Sequence, residues 1–409
     1  MSWPVVPLDE VAETALGKML DKGKPKGHAH VPYLRNVNVQ WGRIDTDDLL
    51  TMELADDERE RFRVRKGDLL VCEGGEIGRC AIWQGRDEYL AYQKALHRIR
   101  PGDSVDARFL RYLLEHYSVN GMLAGMSTGT TIAHLPQQQL RRVPVPLPPL
   151  KEQWRIVALL EDHLSRLDAS DAYVHAGLAR AQVWYAKVID QLVWSPGNPH
   201  REVRSLLREP MRNGRSDRAA QGSECGTRTL TLTAVTRNSF IDEHTKLTTT
   251  TPDRAVGLWL EPGDILVQRS NTPELVGTSA RFDGPRDWAI FPDLLIRLRA
   301  NESLVDSRFL SAALRSKRGH VQLRRQAKGA AGSMPKIDQE TVGSVLIPLP
   351  SGKDQRRIVA QVTAADSGLR QLRAELEAMQ LRSAALRRSL LAAAFSGHFS
   401  ETSAQTATA

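Results

Sequence analysis

Residue types that could do chemistry are present in this chain, but not at the spacings that chemistry needs. Methyl transfer to adenine needs an Asn/Asp-Pro-Pro-aromatic loop to hold a flipped base. Here the only Pro-Pro pair, Pro148-Pro149, is followed by Leu150. A phosphate-cradling loop needs Gly-Lys followed by Ser or Thr. Gly17-Lys18, Gly23-Lys24 and Gly352-Lys353 all lack that hydroxyl, and the Glu-x-Lys of many metal-dependent nucleases does not occur. His28-Ala29-His30 has a spacing a metal could use, yet it sits in a Lys/Gly-rich stretch without a neighbouring carboxylate or cysteine. The expectation is a chain with no catalytic residues, no metal and no cofactor of its own.

What remains is chemistry for contacting a polyanion. Base edges are read by Arg, Lys, Asn, Gln, Ser or Thr on loops that reach a groove, and phosphates are held by Lys, Arg and backbone N–H groups. Two small-residue loops offer this. One is Met126-Ser127-Thr128-Gly129-Thr130-Thr131 with His134 beyond it. The other is Lys328-Gly329-Ala330-Ala331-Gly332-Ser333 with Lys336 beyond it. Glycine lets the backbone approach a ligand closely. Arg269-Ser270-Asn271 and Lys94 complete the set. The DNA-binding candidates are thus Ser127, Thr128, Thr130, Thr131, His134, Lys94, Arg269, Ser270, Asn271, Lys328, Ser333 and Lys336. The stretch 18–26 reads equally well as a phosphate-binding loop or as plain surface.

The elements that position these loops are visible because the chain repeats itself. Gly67-Asp68-Leu69-Leu70-Val71 returns as Gly263-Asp264-Ile265-Leu266-Val267, offset by 196 residues. Asp106-Ala107-Arg108-Phe109-Leu110 returns as Asp306-Ser307-Arg308-Phe309-Leu310, offset by 200. Pro146-Leu147-Pro148 and Glu152-Gln153-Trp154-Arg155-Ile156-Val157 return as Pro348-Leu349-Pro350 and Asp354-Gln355-Arg356-Arg357-Ile358-Val359, offset by 202. Blocks in the same order with a slowly drifting offset mark a tandem duplication with small loop insertions.

Each copy starts with a module of short strands and a helix. A Gly-Asp turn runs into a buried strand, a second strand holds 96–99 or 294–298, and a helix starts near Arg108 or Arg308. Each copy ends in a long helix. Apolar residues recur at steps of four and three over 151–193, with Asp171 as the polar exception, and over 353–391, with Ser383 as the exception. That is a coiled-coil seam. The expected fold is α+β, with two tandem-duplicated recognition domains separated by two long antiparallel coiled-coil helices and related by a pseudo-twofold axis. The boundaries are 1–150 for the first domain, 151–195 for the central helix, 196–350 for the second domain, 351–398 for the C-terminal helix and 399–409 for a disordered tail.

Composition agrees. With 41% apolar and 25% charged residues the chain is a folded protein. Its longest apolar runs are far too short to span a membrane. Three cysteines without a Cys-x-x-Cys pair suit a reducing compartment, and the first ten residues lack the basic region of a signal peptide, so a cytoplasmic protein is expected. The formal charge of +8 is uneven: residues 1–150 are neutral and 196–350 carry +6. The second module should therefore supply more of the salt-sensitive affinity for a polyanion.

Ile132-Ala133-His134-Leu135-Pro136, then Val143-Pro144-Val145-Pro146-Leu147-Pro148-Pro149-Leu150-Lys151-Glu152-Gln153 and Arg155-Ile156-Val157, resembles the central region of type I restriction–modification specificity subunits. The run from Gly263 through Gln268-Arg269-Ser270-Asn271 to Gly277 resembles their recognition-domain core, and Phe395-Ser396-Gly397 their helix end. The second copy departs at Ser351-Gly352 and Asp354. The resemblance implies a non-catalytic subunit that reads a bipartite, asymmetric double-stranded DNA site. Its helices would bind two DNA adenine methyltransferase subunits and, with them, restriction/translocase subunits, while S-adenosylmethionine, ATP and Mg stay on those partners. Trp154, Arg155, Arg356 and Arg357 are the helix residues placed for partner binding. Two other readings stay open at this point: the specificity half of another methyltransferase-linked defence system, and a coiled-coil scaffold without DNA readout.

If the two helices act as a ruler, lengthening both in register by four residues adds about 6 Å at about 1.5 Å per residue. That matches about two base pairs at a rise of about 3.4 Å. Methylome mapping of the lengthened variant with its methyltransferase should show a longer unread spacer and unchanged half-sites. An unchanged spacer in an active variant contradicts the ruler.

Overall fold

The computed structural model describes residues 3–20, 27–85, 88–129, 133–221, 226–236, 238, 240–329 and 334–397. It divides into two compact units. Unit 1 joins Met1–Val174 with Glu377–Ala409, and unit 2 is His175–Leu376.

In unit 1 the Gly-Asp turn is made by Gly67, whose φ of 90° lies in the left-handed region that glycine adopts freely. The turn launches the strand Leu69–Cys72 into an antiparallel sheet ordered Ala12–Leu16, Leu96–Pro101, Leu69–Cys72, Cys80–Ile82. Successive strand side chains face opposite ways, and both faces are covered. Leu69 and Val71 pack with Phe109, Leu110 and Leu113 of helix α1 (Ala107–Val119). Leu70 and Cys72 pack with Val31, Tyr33, Met52 and Leu54 of a smaller sheet formed by Leu50–Leu54, Ala29–Leu34 and Ala91–Tyr92. Cys72 and Cys80 are buried free thiols in these layers, as core residues.

Unit 2 repeats the plan. Gly263, with φ 99°, launches Ile265–Gln268 into a sheet ordered Arg212–Asn213, Leu295–Leu298, Ile265–Gln268, Ser279–Arg281. Ile265 and Val267 face a helix, which for unit 2 is Ser307–Arg315. Leu266 faces a layer containing Leu230, Phe282 and Phe291. There the second sheet shrinks to the pair Thr227–Leu230 and Thr245–Thr248.

The Asp of each turn is the electrostatic pin of its sheet. Asp68 accepts Arg65 N at 2.7 Å and a two-pronged Arg100 at 2.8 and 2.9 Å. Asp264 accepts Glu261 N at 3.0 Å and Arg299 at 2.8 and 3.3 Å. Neighbouring Arg98 and Arg297, both buried, reach Glu13 and Glu209.

A prolyl strand leads out of each module, Pro144–Pro146 against Val5–Pro7 and Leu346–Pro348 against His200–Glu202. Both then enter long helices, Leu150–Val193 and Gly352–Phe395. One glutamine fastens each entry. Gln153 Oε1 accepts Asp106 N at 2.8 Å, and its Nε2 donates to Ser104 O at 3.0 Å and Pro148 O at 2.8 Å. Gln355 does the same with Asp306 N (2.8 Å), Leu304 O (3.3 Å) and Pro350 O (3.0 Å).

Each long helix gives one half to each unit, and within each unit the two halves run antiparallel. In unit 1, Ile156, Val157, Leu160 and Leu164 share a core with Leu391 and Ala394. The two polar exceptions of the seams prove to be partners, since Ser383 Oγ donates to Asp171 at 2.9 Å. Arg387 meets Asp168 one turn further on. In unit 2, Ile189 and Val193 pack with Ile358, Val359 and Val362, and the Tyr185 hydroxyl donates to Asp366. The seam is less continuous than its periodicity predicts: Met379 and Leu386 are 45% and 49% exposed. Around them Ser383 and Arg387 hold the helix pair, so polar contacts replace part of the apolar stripe.

Candidate nucleic-acid interface

Beyond its last paired residue, the Gly-Asp strand of each unit continues into a row of backbone hydrogen bonds that gathers most of the DNA-binding candidates. In unit 1, Glu73 N donates to Ala95 O at 3.0 Å and Glu73 O accepts Leu135 N at 2.7 Å. His134 and Thr128 exchange both N–H···O bonds at 2.8 and 2.9 Å. In unit 2, Arg269 N donates to Leu294 O at 2.8 Å, Arg269 O accepts Ile337 N at 2.9 Å, and Lys336 and Lys328 exchange bonds at 2.8 Å. Three stretches distant in sequence, the last doubled back on itself, are thus laid side by side, in the same order, twice.

The sequence-chosen residues fall on this row as follows. Thr128, His134, Lys328 and Lys336 are exposed at its outer end, and Ser127 is half-buried with its hydroxyl on Ala124 O at 2.7 Å. Lys94 is exposed beside Ala95 and donates its backbone N–H to Lys18 O. Arg269 is half-buried and Ser270 is 5% exposed. Asn271 is turned to internal work: its amide donates to Gln268 Oε1 and its oxygen accepts Thr272 N, both at 2.8 Å. Thr130, Thr131 and Ser333 lie outside the described residues, as do Cys225 and most of 18–26.

Two contributors were not read from the sequence. Asn36 Nδ2 donates to Gly74 O at 3.0 Å from 38 residues away. His97, fully buried, holds Leu135 O at 2.8 Å through Nε2. No short-range pattern announces such contacts, because each pairs a lone polar residue with a distant carbonyl.

Burial pushes the His97 imidazole below its ordinary value, against the pull of the Leu135 carbonyl. The folded chain thus binds this proton more weakly than the unfolded chain. The neutral ring's contribution is complete above the unfolded value of about 6.5 and is lost as pH falls through the lowered folded value. Ile296 holds the equivalent strand position in unit 2. His97→Ile is therefore expected to shrink the fall in melting temperature between neutral and mildly acidic pH. His116 and His320, also lowered by burial, keep the remainder. An unchanged pH dependence contradicts this.

On the long helices, Trp154 is 52% exposed and Arg356 holds the equivalent, also exposed, place. Arg155 is clasped by Glu152 at 2.8 and 2.7 Å, and Arg357 by Asp354 at 3.1 Å. Among the described residues no group of three His, Cys, Asp or Glu could hold a metal, and no helix is long and apolar enough to cross a membrane.

Duplicated α+β modules, each with the same row of backbone hydrogen bonds and each leaving through a long helix, present two related surfaces, one on each unit. Residues 1–171 match the type I restriction modification DNA specificity domain. The chain is 22% identical over 423 residues to the StySPI type I restriction enzyme specificity subunit of Salmonella potsdam, covering 97% of this chain and 89% of that one. A protein of Methanocaldococcus jannaschii described as a type I restriction enzyme specificity subunit is 26% identical over 166 residues, but the match spans only 39% of either chain. A chain from a structure of type I restriction–modification complex assembly and conformational transition shares the fold, with a TM-score of 0.72 at 17% identity, over 96% of this chain and 97% of that one. Residues 1–171 thus match the type I restriction modification DNA specificity domain, and over nearly its whole length the chain is similar to type I restriction enzyme specificity subunits.

Proposed function

We propose that each unit reads one half of a bipartite, asymmetric site in double-stranded DNA, with an unread spacer between the halves. The observation that carries this is the row of backbone hydrogen bonds, paired in the same order in both units but carrying different side chains. Equal scaffolds with unequal surface residues are what two related but distinct half-sites require. The long helices dock two DNA adenine methyltransferase subunits, and through them restriction/translocase subunits, with exposed Trp154 and Arg356 and the ion-paired Arg155 and Arg357 near the helix starts as contact points. S-adenosylmethionine, ATP and Mg belong to those partners, and the complex works in the cytoplasm on DNA.

The test is reconstitution. Purified chain with S-adenosylmethionine should transfer no methyl group to duplex DNA, and adding the methyltransferase subunit of the same system should switch on adenine methylation. Methyl transfer by the chain alone, or none by the combined subunits, contradicts the proposal.

A further inference from the structure

The outer end of the polar row holds three residues abreast in each unit. In unit 1 they are Gly74, His134 and Thr128, and in unit 2 they are Ser270, Lys336 and Lys328, each joined to the next by an antiparallel bridge. Bridged residues directly opposite one another project from the same face. The offsets between the two triplets are 196, 202 and 200, those of the duplication itself, so the triplets hold equivalent places and differ only in chemistry.

That difference is large. Unit 1 has no formal charge among the three. Its imidazole lies over Gly74, where a Cβ would stand 2.7 Å from His134 Nδ1, so a larger residue there would displace the ring. Unit 2 has two exposed lysines side by side, with buried Ser270 next to Lys336. Lys328 is 83% exposed and meets Asp338 only at 3.7 Å, a carboxylate already capping Thr341 N at 2.8 Å. Such an exposed pair neutralises little. The next residue along the row repeats the contrast, Glu73 in unit 1 against Arg269 in unit 2.

We propose that this triplet is the DNA-contacting edge of each unit and that its work is divided. Lys328 and Lys336 grip backbone phosphates, while His134 and Thr128 offer hydrogen-bonding groups to base edges. The inference rests on the DNA-reading function proposed above. Each lysine–phosphate contact releases condensed counterions and adds about 0.9 to the slope of log affinity against log salt. A neutral contact to a base edge adds nothing to that slope but changes sequence preference.

The full chain is titrated with a duplex of one arbitrary sequence across a salt series, and is also used to select binders from a randomised duplex pool. The double variant Lys328→Gln with Lys336→Gln should lower the slope by about 1.8 and leave the selected motif intact. Lys328→Arg with Lys336→Arg should keep the slope. His134→Ala with Thr128→Ala should keep the slope and blur one half of the motif. All four positions are exposed and their backbone bonds survive these changes, so the fold is retained. An unchanged slope in the Lys→Gln variant, or an unaltered motif in the His134/Thr128 variant, overturns the division of labour while leaving the DNA-reading function standing. A wild-type chain that selects no motif overturns both.

Discussion

Arg299→Met should unfold unit 2 more readily than any surface change, by about 3–5 kcal/mol, because it strands a buried carboxylate. Asp264 is 1% exposed and depends on Arg299 for its two closest side-chain bonds. Burial already raises its carboxyl above the ordinary value despite that arginine. Arg100→Met should do the same to unit 1 through Asp68. The double change Arg299→Met with Asp264→Leu should recover much of the loss, since replacing both partners removes the stranded charge. Denaturant unfolding of the three variants checks this. A single variant as stable as the wild type would show that the pin is not structural.

The second large effect concerns the glutamines at the helix entries. Gln153→Leu leaves Asp106 N, Ser104 O and Pro148 O without the amide that bonds all three. Each buried group left unsatisfied costs about 1–3 kcal/mol; Ser104 and Leu304 are exposed and water can reach their carbonyls, so a loss of about 2 kcal/mol or more is expected for Gln153→Leu, and likewise for Gln355→Leu. Gln153→Glu is an informative companion. Its carboxylate still accepts from Asp106 N but turns an oxygen toward two carbonyls. That variant should be strongly destabilised at neutral pH and partly rescued in mild acid, where the protonated group donates again. Equal stability of Gln153→Leu and wild type would show that the joint is not fastened here.

Much of this architecture was legible before any coordinates. The Gly-Asp turns, the helices that start near Arg108 and Arg308 and the long helices all rest on local patterns: a turn glycine, helical spacing of apolar residues, a heptad. The two seam exceptions were legible as exceptions, but only the antiparallel pairing made Asp171 and Ser383 partners. The candidate row was legible in part. Loop composition singled out Thr128, His134, Lys328 and Lys336, and the fold pairs the first two in the row of unit 1 and the last two in the row of unit 2. What composition could not give was direction. Nothing local says that Ser270 is buried or that Asn271 turns its amide onto Gln268. Both follow from sheet register and from segments far away in the chain. The same reason hides Asn36 and His97, whose partners Gly74 and Leu135 are each 38 residues distant.

The most direct measurement of the central claim is the methylome of a host carrying this chain together with its methyltransferase partner, read against the same host lacking the chain. Two half-site readers predict adenine methylation at one motif made of two different half-sites with a spacer of fixed length and free sequence, present only when the chain is present. A single uninterrupted motif, or a methylation pattern indifferent to the chain, would contradict the account.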